Sequence, residues 1–297
     1  MYYKNLAEKL IKHGVTAPKI PIVIPSYNRL NAPALKWANN TSNQSLTVYC
    51  FVRSYQLDEY KKRYPKVKFI PLHDVNNIGE TRKAIMEWCL DNGIYRAFQL
   101  DDDVTGVDYM YPHTNTSGKT YMRQSHLNEG RSLHGVEPIA FAVWENQIKR
   151  IEKKHDVTVA LGSIPMRGFS WVMREENYRL NSDIPIQCVY INYKALNDSN
   201  VHYHSSDEVG WEDLAIAAQA IKSGLACAHI YGITYSSPPM CKTSGGCNGD
   251  NAETTCMERT KRLSSLFMTN VAKGDTAFYT KDLKDMRIVR CHFERLK

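Results

Sequence analysis

Three carboxylates in a row, Asp101, Asp102 and Asp103, close a short and largely apolar run in AFQLDDDVTG, residues 97–106. Adjacent like charges repel one another. The triplet is therefore either a solvated loop with a helix cap or a site that receives a cation. If the chain stays extended past Leu100, alternate side chains share a face, so Asp101 and Asp103 point together and Asp102 points away. Two carboxylates at the mouth of a sheet can hold Mg²⁺ or Mn²⁺ incompletely and leave coordination positions for diphosphate oxygens. A cation so placed neutralises a departing diphosphate as a Lewis acid.

A second acidic pair opens GWEDLAIAAQAIKSG, residues 210–224. Leu214, Ala217, Ala218 and Ile221 recur on one helical face and Gly224 stops the helix. Glu212 and Asp213 then sit at the helix amino end, where the dipole favours carboxylates for stability alone. An Asp with its ordinary pKa of about 3.9 is also ionised and able to accept a proton at neutral pH. In NNIGETR, residues 76–82, Arg82 falls in the first turn of another helix, either as a plain exposed residue or as a partner for an anion. Gly79 in the same segment permits close backbone approach. Cys241, Cys247 and Cys256 cluster with His229 upstream and His292 downstream, but no CxxC pair occurs to support a zinc site. The remaining cysteines stand in apolar contexts and read as buried thiols.

The elements that must carry these groups alternate strand and helix. IPIVIPSYNR (20–29), LTVYCFV (46–52), VKFIPL (67–72) and YRAFQL (95–100) read as strands. ALKWANN (34–40), SYQLDEYKKRYP (54–65) and IGETRKAIMEWCLDNG (78–93) read as the helices between them. That rhythm predicts an α/β fold with a mostly parallel sheet flanked by helices, whose ligands bind at the carboxyl ends of the strands. PSYNR and DDD both fall at such ends. After residue 105 the pattern loosens: 106–136 reads as a polar excursion or loop, and PIAFAVW (138–144) and VTVALGS (157–163) as further strands. No repeat or linker divides the 297 residues.

Composition, with 43% hydrophobic and 23% charged residues, is that of a soluble globular protein. No apolar run approaches the roughly 20 residues of a membrane span, and the amino terminus lacks a signal-peptide core, so a cytoplasmic location is expected. A net charge of +7 favours a polyanionic partner.

In order and spacing, IPIVIPSYNR, NNIGETRKAI, FQLDDDV and GWEDLAIAAQAIKSG together resemble the landmarks of GT-A-fold glycosyltransferases over roughly 20–235. The resemblance implies one GT-A-like domain over 1–297, with a nucleotide-sugar half at about 20–105 and an acceptor half at about 106–240. A carboxyl-terminal loop and tail, 241–297, completes it, and the 242–251 loop is placed to close over the donor or to be plain surface. It implies a UDP-sugar donor, Mn²⁺ or Mg²⁺, and inversion at the anomeric carbon. Carried onto this sequence, Pro25, Tyr27 and Arg29 line the nucleobase and ribose, with Arg53 and Ser54 at the next strand end. Gly79 and Arg82 meet the diphosphate, while Asp101 and Asp102 contact the donor. Asp101 and Asp103 hold the metal, with His229 as a further ligand; His292, His202 and His204 are alternatives to it. Asp213 serves as general base and Glu212 as a sugar contact, roles that can be exchanged.

NNIGETRKAI also resembles a phage-associated branch whose acceptors are hydroxymethylated pyrimidines in DNA. The basic clusters suit duplex phosphates; the acceptor base would be flipped into the site, and Tyr109, Tyr111 and Tyr121 offer stacking surfaces. Transfer to a polysaccharide or protein is the alternative within the class. A nucleotidyltransferase, or a binding module without catalysis, is the alternative outside it. PSYNRLNAP lacks the Gly-rich, Lys-containing loop of the former, and the latter has no need of paired carboxylates at one sheet mouth.

Overall fold

The computed structural model describes residues 2–41, 46–118, 120–124, 138–166, 178–181, 187–209, 211–238, 277–280 and 289–292. The first half runs α1 (Tyr2–Lys12), β1 (Ile22–Pro25), α2 (Pro33–Thr41), β2 (Val48–Arg53), α3 (Leu57–Arg63), β3 (Lys68–Leu72), α4 (Ile78–Asp91), β4 (Arg96–Leu100), β5 (Gly106–Thr114) and β6 (Thr120–Gln124). It continues through α5 (Pro138–His155), β7 (Val159–Ser163), β8 (Tyr178–Leu180), β9 (Cys188–Asn192), α6 (Tyr193–Asp198), α7 (Ser206–Val209) and α8 (Glu212–Lys222). β10 (Ala226–Ile230), β11 (Ile233–Ser236), β12 (Ala277–Thr280) and β13 (Val289–His292) complete the order.

Eight strands form one sheet in the order β3-β2-β1-β4-β9-β7-β10-β8. β3, β2, β1 and β4 are parallel neighbours, as are β7 and β10. Parallel pairing requires a crossover, and α2, α3 and α4 supply one after each of the first three strands. β9 lies antiparallel between β4 and β7, and β8 antiparallel beside β10. This is a mixed α/β architecture with a large central sheet flanked by helices, as the alternating pattern requires.

Side-chain alternation explains why the strands are apolar throughout. Ile22 and Ile24 enter one core with Phe98, Leu100, Trp144 and Tyr190, while Val23 faces the other with Phe51, Ala97, Ile191 and Leu214. A strand buried on both faces has no polar side to display. The first core contains residues of α1, α2 and α5, the second residues of α4, α6 and α8. Buried thiols Cys50, Cys89, Cys188 and Cys227 fill gaps in these cores; Cys241, Cys247 and Cys256 lie outside the described residues, as does 242–251.

Two segments differ from the sequence reading. PIAFAVW begins α5 instead of forming a strand, because Gln147, Ile148 and Ile151 extend its buried face for several turns; a short apolar run alone does not distinguish the two. The polar stretch after Gly106 is a hairpin: β5 pairs with β6 on one side and β11 on the other, with Val107, Met110 and Tyr111 buried. Among the described residues no helix is long and apolar enough to cross a membrane.

Candidate active site

β4 does not continue extended into the aspartates. The Asp101 N–H donates to Gln187 O at 2.8 Å and the Val104 N–H to Asp101 O at 3.1 Å, closing a turn. The turn replaces the extended geometry expected there: Asp101 meets Arg82, while Asp102 and Asp103 both meet Arg29.

Asp102 turns inward and is 5% exposed. Its Oδ2 accepts from Ser26 Oγ at 2.6 Å, at the end of β1, and its Oδ1 pairs with Arg29 Nη1. Arg29 also reaches Asp103 Oδ2 at 3.5 Å. The phenol of Tyr60, on α3, accepts the Arg29 N–H at 2.8 Å and lies 3.1 Å from Ser26 Oγ. Both oxygens of Asp102 are thus engaged by the protein. It holds the Ser26–Arg29 turn against β4. Gln56 fastens the same turn to Asn28, whose φ of +53° needs such support.

Arg82 builds the second cluster. It is 5% exposed, not a surface residue, and donates to Glu212 Oε1 at 2.8 Å and Asp101 Oδ1 at 3.3 Å. It thereby joins the end of β4 to the start of α8. Asn77 caps α4 by accepting the Glu80 N–H. Gly79 is needed there, but for a reason other than the one read from sequence. A Cβ on Gly79 would stand 2.1 Å from His204 O and 2.7 Å from Ser206 N, so the close approach is to the chain's own backbone. Glu212 Oε2 accepts from Ser206 Oγ at 3.2 Å, which leaves both Glu212 oxygens occupied. Asp213 differs: its Oδ1 accepts the Leu214 N–H at 2.8 Å, and no described group bonds to Oδ2.

Burial dominates the electrostatics. It pushes Asp101 up to about 6 against the pull of Arg82, with Asp103 and Glu212 adding to the rise. It pushes Asp102 up to about 7 despite Arg29 and Ser26, and Asp103 upward despite Arg29. Asp213 rises to about 7 through burial and then the neighbouring Glu212 charge, opposed by Arg82. The phenols of Tyr203 and Tyr235 are raised by burial, with Asp101 and Asp213 adding to the rise in both. Two guanidiniums therefore face five carboxylates, a charge imbalance that a hard cation would relieve.

The donor set fits such a cation. Asp103 Oδ1 is buried with no hydrogen-bond partner, and carboxylate oxygens are the ligands Mg²⁺ and Mn²⁺ prefer. Among the described residues no three His, Cys, Asp or Glu side chains stand close enough to enclose an ion by themselves. His229 is not gathered into the aspartate turn: its Nδ1 lies 2.8 Å from Ser163 Oγ and its ring packs edge-on against Tyr231. His202 and His204 bond to Asn200 and Gln219. His292 lies on β13, and its side chain is outside the described residues.

At the end of β1 Pro25 pairs in register with Phe51 and is buried within the sheet. Tyr27, 38% exposed, carries the Arg53 guanidinium 5.3 Å from its ring centroid. Arg53 Nη1 is buried without a partner. This is an aromatic face and an unspent donor at the carboxyl ends of two adjacent strands. Sequence reasoning missed Ser26, Tyr60, Gln56, Tyr203, Ser206 and Tyr235. Ser26 lay inside a quoted motif, but the others carry no local signal and matter through what folding brings to them.

The mixed α/β sheet, with acidic and basic side chains collected at its carboxyl ends, defines a glycosyltransferase once the family is known. The chain belongs to the TET-associated glycosyltransferases: the family described as TET-Associated Glycosyltransferase matches residues 20–246. No curated protein matches it. Among solved structures, the chain is similar to GalNAc-T7 with UDP, GalNAc and Mn²⁺, at 9% identity and a TM-score of 0.43, over 87% of this chain and 49% of that one. It is similar also to mannose-1-phosphate geranyltransferase from Thermus thermophilus, at 10% identity and a TM-score of 0.30, over 90% of this chain and 66% of that one. The chain thus spans about half the length of the GalNAc-T7 chain.

Proposed function

We propose that this glycosyltransferase moves a sugar from a UDP-sugar, with inversion and with a divalent cation, onto the hydroxymethyl group of a modified pyrimidine in DNA. The observation that carries the chemical half is the contrast between Glu212 and Asp213. Glu212 has both oxygens engaged, whereas Asp213 is fixed through one oxygen and keeps the other for a proton. Its raised pKa makes it a stronger base than an exposed carboxylate and still ionises it in mildly alkaline solution. Asp213 takes the proton of the acceptor hydroxyl as the oxygen attacks the anomeric carbon from the face opposite the diphosphate.

Tyr27 offers a ring to the base and Arg53 a hydrogen-bond donor. Asp101 and Asp103 would hold Mn²⁺ or Mg²⁺. The cation would neutralise the departing diphosphate. Arg82 keeps Asp101 and Glu212 in place while this happens. On this reading residues 20–105 serve the donor and 106–240 the acceptor. The TET-associated description of the family, the resemblance to enzymes of hydroxymethylated DNA, and the net charge of +7 support this acceptor.

The test supplies Mn²⁺, a panel of UDP-sugars and two DNAs, one with hydroxymethylcytosine and one with plain cytosine. The digested nucleosides are then weighed. A sugar-sized mass gain confined to the hydroxymethylated DNA supports donor and acceptor together. UDP release without that gain keeps the transferase and removes DNA as its acceptor. Neither product from any donor overturns the reading.

A further inference from the structure

The segment leading into α8, which includes α7, is fastened to the amino end of α4 by several hydrogen bonds. Asn77 accepts the Ser206 N–H at 3.1 Å and donates to Ser205 Oγ at 2.8 Å. Gly79 lies so close to His204 O and Ser206 N that no side chain fits between them. Within this contact Ser206 is 2% exposed and its hydroxyl is used twice. It accepts the Gly79 N–H at 3.1 Å and donates to Glu212 Oε2 at 3.2 Å. Beyond Glu212 the chain of bonds runs to Arg82 and on to Asp101. Tyr203, three residues earlier and also buried, faces the same charged groups.

We infer that Ser206 is a positioning residue for glycosyl transfer: its hydroxyl orients Glu212, and through it Arg82, so that Asp101 and Asp213 are held in register across the two sides of the site. This rests on the transferase reading above. A hydroxyl has a single proton, and the Gly79 N–H occupies a lone pair of Ser206 Oγ. The proton is thereby directed to Glu212, and the carboxylate has one orientation that satisfies both Ser206 and Arg82. A carboxylate free to rotate would release Arg82, whose Nε is already buried without a partner.

The experiment compares Ser206→Ala and Ser206→Thr with the parent chain, in steady-state transfer and in crystal structures. Ser206→Ala is expected to lower kcat about ten-fold, the effect of losing one hydrogen bond to a charged group, with donor KM within about two-fold of the parent. Ser206→Thr restores a hydroxyl and is expected to recover most of kcat. In the Ala variant Glu212 should leave its present rotamer and Arg82 should lose one of its two carboxylates. Parental kcat in Ser206→Ala overturns the inference. So does an Ala structure in which Glu212 and Arg82 keep their places, and this readout stands even if the parent chain transfers nothing, a result that counts against the transferase reading alone.

Discussion

Arg29, partly buried, and Arg82, buried, each lie between two carboxylates at the carboxyl edge of one sheet, yet their surroundings differ. Arg29 pairs with Asp102 and Asp103 inside a knot of Ser26, Tyr60 and the Asn28 turn, all drawn from the first third of the chain. Arg82 instead bridges Asp101 to Glu212, 130 residues from it in sequence, beside Asp213, to whose Oδ2 no described group bonds. The first cluster is closed on itself and fixes the shape of a turn. The second joins two regions that the sequence keeps far apart and leaves Asp213 available. A buried ion pair adds little net stability by itself, but losing one partner is costly. The two arginines should therefore look alike in a stability assay and differ in a catalytic one.

The sharpest test of this contrast is Asp213→Asn, which is expected to reduce kcat by about 10²–10⁴-fold while UDP binding persists. Single-turnover transfer and calorimetric titration with UDP would check it, and near-normal turnover would end the general-base assignment. Next come Arg29→Met and Arg82→Met, each expected to cost about 3–5 kcal/mol in denaturant unfolding because a buried carboxylate loses its partner. The Arg29 variant should regain stability as pH falls, from above about 7, because without Arg29 the Asp102 carboxyl is raised further and takes up its proton earlier. If the Arg82 variant keeps as much of the parent's kcat as the Arg29 variant does, the distinction between the clusters fails.

Gly79→Ala is expected to cost about 1–3 kcal/mol, since backbone atoms of His204 and Ser206 must move to admit a methyl group. A melting temperature equal to the parent's would show that the α4–α7 contact is looser than these distances imply. A further expected effect is that of pH on the parent chain without added metal. Asp101, Asp102 and Asp213 have folded pKa values raised to about 6, 7 and 7, above their unfolded values. Their neutral forms therefore favour folding below about pH 4, and that contribution is lost as pH rises through 6 and 7. Thermal melts across this window should show declining stability. Mn²⁺ should lessen the decline at neutral pH, if Asp101 and Asp103 bind it.

Much of the frame was legible in the sequence because it is local. Short, mostly apolar runs between helical stretches marked β1 to β4. PIAFAVW and the 106–124 hairpin were misread for a physical reason. A helix and a strand buried on every side show the same unbroken apolar run, and a hairpin that sends only some of its side chains, such as Val107 and Met110, into the core shows a largely polar one. Residue types also announced the site: Asp101–Asp103, Arg82 and Asp213 were visible as charges at element ends.

What those charges touch was not visible. The sequence by itself determined where strands, helices and acidic turns fall, because backbone preference and apolar periodicity act over a few residues. Only the tertiary structure decided that Asp102 faces Arg29, that Gly79 makes room for Ser206, and that Glu212 is held through both oxygens while Asp213 is held through one. Those assignments depend on packing between segments more than 70 residues apart. In a buried site such packing fixes which charges find partners, and the partners fix which carboxylate can still accept a proton.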